Sequence, residues 1–497
     1  MAQHYPPFVI ITHLLNILFV VLLGRSGLEV LAAHPKLYWS DHCPPGRQWL
    51  RLSRKEFGAD SRRPWTSQDE EESWNPVVAL PGRKNLGLGR HWHLLTLQFW
   101  IATGAVYVLL MFTSGYWRYL VPTSWEVFPQ AVRDVGTYLT FRFPELLPGE
   151  PYNAAQKLTY FAVVFLLAPL QIATGAAMSP AVIGRFPWFA RLFGGKQGAR
   201  SLHFLGLVAF VAFIVLHTAL VIVHGLPESL AKILLGSKEA DHALAVGLGA
   251  LALVAILAVQ VLATLVSLRS PRAAERITGA LAGPLQRGLS RLLPSRQRYG
   301  RGDISPYHRV NGYPPTDEQY ERAARDGFAG YRLAVGGLVE RPAALSLDEL
   351  RALGTTSQVV NHNCIQGWNA IAEWAGVPVA RLLDAVRPLP NARYAVFYGM
   401  DDKGLTDGRE GRYGHYYEAV PLPLLRHEQS LLALDMNGGP LPIEHGAPLR
   451  LRVENQLGFK MVKWVQAIEF VERVDGIGMG RGGFREDQQF YANRVGI

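Results

Sequence analysis

The chain has 497 residues, of which 49% are hydrophobic, and a formal net charge of +10. Its two cysteines, Cys43 and Cys364, exclude a disulfide-rich scaffold, and their wide separation predicts two free thiols. The charge does not call for a nucleic-acid partner, because much of it flanks long apolar runs, where basic residues set membrane orientation. We therefore predict a membrane protein with no nucleic-acid partner.

Runs without Asp, Glu, Lys or Arg dominate the first 268 residues, whereas the remainder resembles a globular domain in composition. About 20 apolar residues in a helix cross the hydrocarbon core of a bilayer, so each long run predicts a membrane-spanning helix. The first run lacks the basic start and the cleavage site of a signal peptide. The five runs cover residues 1–24, 91–117, 158–184, 201–227 and 242–268.

The fourth run carries His203 and His217, fourteen residues apart. In a helix this spacing separates them by about 21 Å along the axis and leaves them within about 40° of one face. Ionisable residues inside membrane spans are usually functional. Two imidazoles near opposite membrane surfaces are what two stacked haems require of a shared helix.

His13 and His93, in the first two runs, complete this pattern. If successive helices alternate in direction, His93 faces His203 and His13 faces His217. Each pair would hold a haem iron through two imidazoles, which suits electron transfer because no coordination position stays open.

Other candidate ligands are interpreted differently. His91 lies two residues from His93 and so points to another helix face, and His224 lies near the membrane boundary. Both are interpreted as interfacial histidines. The sequence Asp41-His42-Cys43, in the long polar loop 25–90, contains metal-binding residue types but has no matching ligands nearby in the sequence.

Motifs around these histidines resemble the bacterial di-haem cytochrome b subunits of formate dehydrogenases and nickel hydrogenases. The resemblance covers about residues 8–225 and implies two b-type haems that exchange electrons with membrane quinone. It departs from the family at Leu14, where a Trp is usual, and lacks the basic residue before the first histidine. The motifs are THLLN (12–16), GRHWH (89–93), YNAAQKLTYF (152–161) and LHF…LHTAL (202–220).

Basic residues near the ends of the runs predict the orientation of the chain. The more basic side is shared with the C-terminal domain, which the positive-inside rule assigns to the cytoplasm. No twin-arginine signal precedes the first or fifth run. We expect a multi-pass protein of the cell inner (plasma) membrane, although analogy with the cytochrome family argues for the opposite orientation.

Beyond residue 268 the long apolar runs end, and the composition becomes that of a linker followed by a globular domain. Residues 269–304 form a basic linker whose pattern fits an amphipathic helix on the membrane surface. Residues 305–475 form a strand-rich α+β domain, and residues 476–497 a C-terminal tail. Ser346 followed by Glu349 predicts a capping box, and residues 367–386 predict a helix. Strands are predicted over residues 331–339, 394–400, 449–455 and 461–472.

Cys364 is the chemical centre of this domain. It follows a short apolar strand, at a turn expected to open a helix, where backbone N–H groups stabilise a thiolate. On these facts alone, a buried and inert cysteine is the commoner outcome.

The segment CIQGW (364–368), followed by GVP and LL, resembles the molybdenum-ligating stretch of the sulfite-oxidase fold, in the variant of the methionine-sulfoxide-reductase catalytic subunit. MNGGPLPIEHGAPLRLRV (436–453) and LGFKMVKWV (457–465) extend the resemblance over about 305–475. The fold class is then an α-helical membrane bundle of five helices, four of which carry the di-haem core. An α+β, strand-rich sulfite-oxidase-type molybdopterin domain follows it.

The resemblance also implies roles for individual residues. Cys364 would be catalytic and would ligate molybdenum through its sulfur. His445 and Arg450 would hold the pterin and its phosphate, for which a bidentate guanidinium is suited. Further cofactor contacts would come from Asn311, Gly458, Phe459, Lys460 and Lys463.

The residues beside Cys364 bear on the substrate. Sulfite oxidases carry arginines just after this cysteine, whereas this chain has His362, Gln366, Trp368 and Asn369 around it. A neutral or weakly charged oxo-substrate is therefore expected. Candidate pocket-lining residues, which are equally well explained as core aromatics, are Trp368, Tyr416 and Tyr417.

These features predict a membrane-bound oxidoreductase. Molybdenum at Cys364 would catalyse oxygen-atom transfer on a sulfoxide-like or sulfur-compound substrate, and two b-type haems would connect it to quinone. Fusion keeps the donor and the acceptor at high effective concentration. One alternative is a haem electron conduit whose C-terminal domain binds a partner without turnover, and another is a b-type ferric reductase. Either a monomer or a homodimer is compatible with the sequence.

Overall fold

The computed structural model describes residues 5–56, 65–292, 297, 299–403 and 414–491. In this part of the chain, five helices are long and apolar enough to cross a membrane, and we number them as the first to fifth membrane helices. Each matches a predicted run within several residues, because the helices continue through polar and charged residues that are buried in the protein. They are Pro7–Ala32, Leu86–Thr113, Ala154–Met178, Gly195–Val223 and His242–Arg269.

The third membrane helix begins with a capping box. The Asn153 side chain accepts a hydrogen bond from the Gln156 N–H at 2.9 Å, and the Gln156 side chain accepts one from the Asn153 N–H at 3.1 Å. The helix then passes through a π-helical turn, Ala162–Leu167, just before Pro169. Proline has no N–H to donate to the preceding turn, and the widened turn accommodates it.

The bundle pairs the first membrane helix with the second and the third with the fourth, while the fifth lies outside the first. Arg25 anchors this outer contact by donating from Nη1 to Gln260 Oε1 at 2.8 Å. Large apolar side chains such as Leu216 and Leu251 are exposed on the outside of the bundle, as a lipid environment requires. Two connecting helices, Val127–Leu139 and Leu226–Leu235, lie at the end far from the C-terminal domain.

Two five-stranded sheets form the C-terminal domain in the described part of the chain. The strands are β1 Lys36–Leu37 and β2 Leu50–Arg51, in the loop between the first two membrane helices, then β3 Leu333–Gly337, β4 Ala343–Leu345, β5 Thr356–Asn363, β6 Asn369–Pro378, β7 Tyr394–Asp402, β8 His415–Pro421, β9 Ser430–Met436, β10 Gly439–Pro440, β11 Arg450–Val453 and β12 Val465–Val471. One sheet has the order β10-β9-β6-β5, with β11 also paired to β9, and the other has the order β4-β3-β12-β7-β8. A core that includes Leu333, Val377, Phe397 and Leu451 joins the sheets.

Three strands (β3, β11 and β12) fall within the segments predicted to form them, and β7 extends two residues beyond its predicted segment. The Ser346 capping box is confirmed, since Ser346 Oγ accepts from the Glu349 N–H at 3.1 Å. The linker contains the helix Pro271–Leu292, which packs along the second membrane helix, where Gln98 donates to the Ala282 carbonyl at 3.3 Å. The remaining α-helices in the described part of the domain and tail are Glu318–Arg325, Leu347–Ala352, Val379–Val386, Leu422–Leu425 and Phe484–Gln489.

The helix predicted over residues 367–386 is wrong in its first half. Asn369–Pro378 is β6, antiparallel to both β5 and β9, and the helix begins only at Val379. A central strand is buried on both faces, so its sequence does not alternate, and its alanines mimic a helical segment. Cys364 therefore lies in the turn of a β-hairpin rather than before a helix.

Candidate functional site

Four histidines of the membrane helices form two pairs inside the bundle. The ring centroids of His93 and His203 are 6.4 Å apart with planes at 68°, and those of His13 and His217 are 6.3 Å apart with planes at 71°. The structure thus brings together the partners that helix alternation predicts. One pair lies toward each end of the bundle.

Hydroxyl groups orient one of the pairs. Ser26 Oγ lies 3.1 Å from His93 Nδ1, and Thr174 Oγ1 lies 3.1 Å from His203 Nδ1. Each hydroxyl already donates its proton to a backbone carbonyl four residues back, at 2.7 Å, so it accepts from the imidazole N–H. The proton is then on Nδ1, and Nε2 of each ring keeps a free lone pair.

The spacing within each pair leaves room for a metal. An iron bonded at about 2 Å to one nitrogen of each ring, with that nitrogen about 1.2 Å from its ring centre, would separate the centroids by about 6.4 Å. Both pairs match this separation. The residues therefore fit bis-imidazole haem ligation.

The other two histidines are located elsewhere. His224 packs edge-on against Phe143 with centroids 4.5 Å apart, and His91 faces the linker helix near Gly279. Neither ring contacts another histidine in the described part of the chain. Their interpretation as interfacial residues stays a prediction.

Cys364 lies in the β5–β6 turn and is only 4% exposed. Asn311 Nδ2 is 3.4 Å from its sulfur, and Gln366 Oε1 is 3.5 Å away. Burial raises the pKa of the thiol, while the Gln366 backbone N–H, the Asn311 amide and the charges of Lys196 and Arg485 lower it. These groups offset only part of the effect of burial, so the pKa of the thiol stays above its usual value, whereas the thiolate is the form that binds metals.

Buried cationic and imidazole side chains gather beside this cysteine. Arg452 is paired with Glu454 at 2.7 Å, whereas Arg450 donates to the His445 carbonyl at 3.0 Å and forms no ion pair among the described residues. Burial, followed by the charge of Arg450, lowers the pKa of Lys463 well below its usual value. The buried members are His308, His362, His445, Arg450 and Arg452, and the half-buried Lys463 lies beside them.

Several buried polar atoms of this region lack a hydrogen-bond partner within the described residues. Leaving such a group unpaired costs about 1–3 kcal/mol, so a ligand with oxygen and nitrogen atoms would be stabilised here. Surplus positive charge favours an anionic ligand. The site therefore fits a phosphate-bearing pterin, with Cys364 placed to hold its metal. The unpaired atoms are Asn311 Oδ1, His308 Nε2, Trp374 Nε1 and Arg450 Nε.

The predicted glycine and phenylalanine contacts lie close to this region. A Cβ on Gly458 would lie 2.4 Å from the His362 imidazole, so only glycine fits there without displacing that ring. Phe459 belongs to the apolar cluster that contains Cys364. Its carbonyl accepts from the Tyr416 hydroxyl at 2.7 Å.

Lys460 has partners other than the expected cofactor. Its Nζ lies 2.7 Å from Glu418 Oε2 and also pairs with Glu486. The ammonium is therefore neutralised by two buried carboxylates. Lys463, by contrast, donates to the Glu444 carbonyl at 2.9 Å and forms no ion pair in the described part of the chain. Lys463 is the lysine better placed to meet an anion.

The turn that carries Cys364 docks onto the membrane helices, which the sequence analysis missed. Gln197 Nε2 donates to the Gly367 carbonyl at 3.0 Å and to Asn369 Oδ1 at 2.9 Å. Gln197 lies in the first turn of the fourth membrane helix, six residues before His203. The polar run GKQGARS at the start of this apolar helix was the available signal.

The loop between the first two membrane helices supports the same turn. Gln366 Nε2 donates to Glu71 Oε1 at 2.6 Å and to the Ser67 carbonyl at 3.1 Å. Val30 and Leu86, at the ends of these helices, pack with Cys364 in one apolar cluster. Both halves of the chain therefore shape the cysteine site.

A buried ionic cluster fixes this loop to the C-terminal domain. Glu70 lies 3.0 Å from Lys36, 2.7 Å from Arg309 and 3.2 Å from His34. Arg309 also donates to the Tyr38 hydroxyl at 2.6 Å. Since Arg309 is two residues before Asn311, this cluster helps to place the Asn311 amide at the cysteine.

The Asp41-His42-Cys43 sequence has a structural setting. Asp41 Oδ1 accepts from the Gln197 backbone N–H at 2.8 Å, and Cys43 is buried, which raises the pKa of its thiol to about 12. No group of three or more metal-ligating side chains occurs among the described residues. Both cysteines are free thiols, as predicted.

Comparison with known proteins matches two families to the two halves of the chain. Residues 4–236 match the family described as prokaryotic cytochrome b561, and residues 321–476 match the oxidoreductase molybdopterin-binding domain. The fold and the comparisons together define a multi-pass membrane oxidoreductase. More particularly, the chain joins a cytochrome b561 domain to a molybdopterin-binding domain in one polypeptide.

Individual relatives cover parts of the chain. The putative protein-methionine-sulfoxide reductase subunit YedZ1 of Azospira oryzae is 35% identical over 36% of this chain and 60% of its own length. The protein-methionine-sulfoxide reductase catalytic subunit MsrP of Xanthomonas axonopodis pv. citri is 31% identical over 35% of this chain and 55% of its own. The chain thus spans just over half of the length of each.

Among solved structures, the sulfane dehydrogenase SoxCD from Paracoccus pantotrophus is 21% identical, with a TM-score of 0.28. The match covers 39% of this chain and 46% of that one.

Proposed function

We propose that the protein catalyses oxygen-atom transfer at a molybdenum held by Cys364, on a sulfoxide-like or sulfur-compound substrate. Two b-type haems, at the His93–His203 and His13–His217 pairs, would exchange the electrons with membrane quinone. The observation that carries the proposal is the docking of the cysteine turn on Gln197, within the helix that also bears His203 and His217.

The helix geometry supports an order for the two haem sites. Gln197 precedes His203 by six residues, about 9 Å along the axis, and His217 lies about 21 Å beyond His203. The His93–His203 site is thus nearer to the cysteine turn. The His13–His217 site, toward the other end of the bundle, would exchange electrons with quinone.

The residues around Cys364 would divide the remaining tasks. The metal, when bound, supplies transfer of an oxygen atom to or from the substrate. Arg450, His445 and Lys463 would hold the anionic part of the pterin, and Asn311 would stabilise the thiolate. Release of the transferred oxygen as water consumes two protons and two electrons, and the haems would deliver these electrons singly.

In the described part of the chain, the C-terminal domain, the loop residues 33–56 and 65–85, and the segment 179–194 lie at the same end of the bundle. By the positive-inside rule this end would be cytoplasmic in the inner membrane. Protease accessibility of a tag at residue 497 in sealed inside-out vesicles tests the assignment. Cleavage only in right-side-out vesicles would reverse it.

Metal analysis and anaerobic optical spectroscopy of the purified protein test the function. We expect one molybdenum and two haems per chain, and oxidation of the dithionite-reduced haems on addition of a sulfoxide, or haem reduction by a sulfur donor. Haem without molybdenum would instead favour the electron conduit. Iron reduction that survives deletion of residues 305–497 would favour the ferric reductase.

A further inference from the structure

A cavity of about 600 Å³ adjoins the cysteine turn, within the range of small-molecule sites. Its wall includes Glu71, which holds the Gln366 amide next to Cys364, and Tyr313, two residues beyond Asn311. It is enclosed by the loop between the first two membrane helices, the C-terminal domain and the C-terminal tail. Its link to the cysteine turn is the hydrogen bond between Glu71 and Gln366, so a molecule bound in it would lie beside the proposed metal site.

Four cations and two carboxylates line this cavity among the described residues. Lys403 is paired with Asp401 at 2.7 Å, and Lys55 lies 3.9 Å from Glu72. The other two cations, Lys84 and Arg485, form no ion pair within the described part of the chain. Among the described residues the wall therefore holds two cations outside ion pairs, Lys84 and Arg485, together with the carboxylates of Asp69 and Glu71.

Both carboxylates of the wall already accept hydrogen bonds. Asp69 accepts from the Thr66 backbone N–H at 2.8 Å and from the Tyr313 hydroxyl at 2.5 Å. Glu71 accepts from Gln366 at 2.6 Å. These neutral donors fix the orientation of the two carboxylates, which keep their negative charge.

Arg485 is the cation of the wall that has an unsatisfied polar atom. It lines the cavity beside Glu71 and Tyr313, and Gln489 accepts a hydrogen bond from its Nη1. Its Nε is buried and has no hydrogen-bond partner among the described residues. It belongs to the tail helix Phe484–Gln489, outside the residues matched to the molybdopterin family.

We propose that Arg485 binds an anionic group of the substrate, a carboxylate or an oxoanion, and so selects negatively charged oxo-compounds at the molybdenum site. This inference rests on the proposed function. It revises the expectation of a neutral substrate, which considered only the residues next to Cys364. The segment after Cys364 contains no arginine, and in the folded protein Arg485 of the tail takes that role.

The test compares full-length wild type with Arg485→Gln and Arg485→Lys, each checked for molybdenum and haem content. Reduced enzyme is oxidised with methylsulfinylacetate, an anion, or with neutral dimethyl sulfoxide, and oxidised enzyme is mixed with sulfite. Loss of a charged hydrogen bond predicts about a 10- to 100-fold higher KM for the anionic sulfoxide or for sulfite in Arg485→Gln, partly restored in Arg485→Lys. The KM for dimethyl sulfoxide should stay unchanged. The anion whose KM rises, the carboxylate-bearing sulfoxide or sulfite, identifies the substrate class.

Arg473→Gln is the matched control, because Arg473 is exposed and paired with Asp475 at 2.8 Å, outside the cavity lining. Sulfate binding by calorimetry provides a readout that needs no turnover, and Arg485→Gln should weaken it about 10-fold or more. Equal sulfate affinity and equal KM ratios in wild type and Arg485→Gln would overturn the inference. A wild type that binds sulfate through Arg485 but shows no substrate-driven haem change would instead overturn the proposed function.

Discussion

Lys196 of the fourth membrane helix donates from its Nζ to Asn363 Oδ1 at 3.1 Å, and Asn363 directly precedes Cys364. The lysine is only 3% exposed, so this bond is made inside the protein rather than at its surface. The cysteine turn is therefore held from the membrane side as well as by its own sheet. A substitution at the start of the fourth membrane helix should therefore alter the geometry of the proposed metal site.

Gln197→Ala tests this coupling. The substitution removes the donor to the Gly367 carbonyl and to Asn369 Oδ1, which costs about 1–3 kcal/mol when the acceptors stay buried. We expect slower electron transfer between the substrate site and the haems in stopped-flow spectroscopy, with unchanged haem spectra. Gln130→Ala, at the far end of the bundle, is the control. Equal rates in both variants would show that the contact does not matter.

Thr174→Val tests the orientation of His203. Without the hydroxyl, the Nδ1–H of His203 loses its acceptor, and second-shell losses of this kind typically cost about 10- to 100-fold in metal affinity. Haem content should fall and the redox potential of the site nearer Cys364 should rise, because the imidazole becomes a weaker donor; spectroscopic titration measures both. Thr174→Ser keeps the hydroxyl and should behave as wild type. A Thr174→Val protein with two normal haems would contradict this account.

Glu70→Gln tests the ionic cluster between the domains. It leaves Lys36 and Arg309 buried without their carboxylate, and breaking such a network costs about 3–5 kcal/mol. A marked fall in the thermal unfolding midpoint is expected in detergent. Glu56→Gln, which breaks an exposed pair with Arg51, should cost under about 1 kcal/mol. Similar unfolding midpoints for both variants would refute the proposed contribution of the cluster to the free energy of unfolding.

The same cluster predicts a pH dependence. Burial lowers the pKa of His34 to about 3, against an unfolded value of about 6.5. The unfolded chain therefore binds this proton more readily, and stability should fall below about pH 6.5 by about 1.4 kcal/mol per pH unit. Unfolding measured between pH 7 and 5 checks the slope. The variant His34→Gln should remove the part of this pH dependence that His34 causes. An unchanged slope in that variant would exclude His34 as the cause.

Much of the membrane half could be predicted because its constraints are local. Helix length, the absence of charge and the spacing of His203 and His217 follow from the bilayer and from helical periodicity. Pairing with His13 and His93 required only alternation of the helices. The hydroxyls of Ser26 and Thr174 were not predicted, since serine and threonine are common in helices and carry no distinguishing pattern.

The molybdopterin half was predictable by motif but not by geometry. Cys364 and its order relative to Arg450 follow from the sequence resemblance, whereas β6 was read as a helix because its burial depends on strands far away in the chain. The contacts of Gln197 and Glu71 with the cysteine turn, and the position of Arg485 in the adjoining cavity, are also long-range. No periodicity or local propensity encodes them, since they arise only when the two halves meet.

The placement of Cys364 between the sheet, the loop and the membrane helix ends also has a consequence for biogenesis. Cys364 is only 4% exposed, and Val30 and Leu86 pack over one side of it, so the pterin proposed to bind there would be enclosed by both halves of the chain. We expect maturation to be sequential, with the pterin inserted while the two halves are still apart. Seating on the helices would then lock it in, so that a chain assembled without the pterin stays empty.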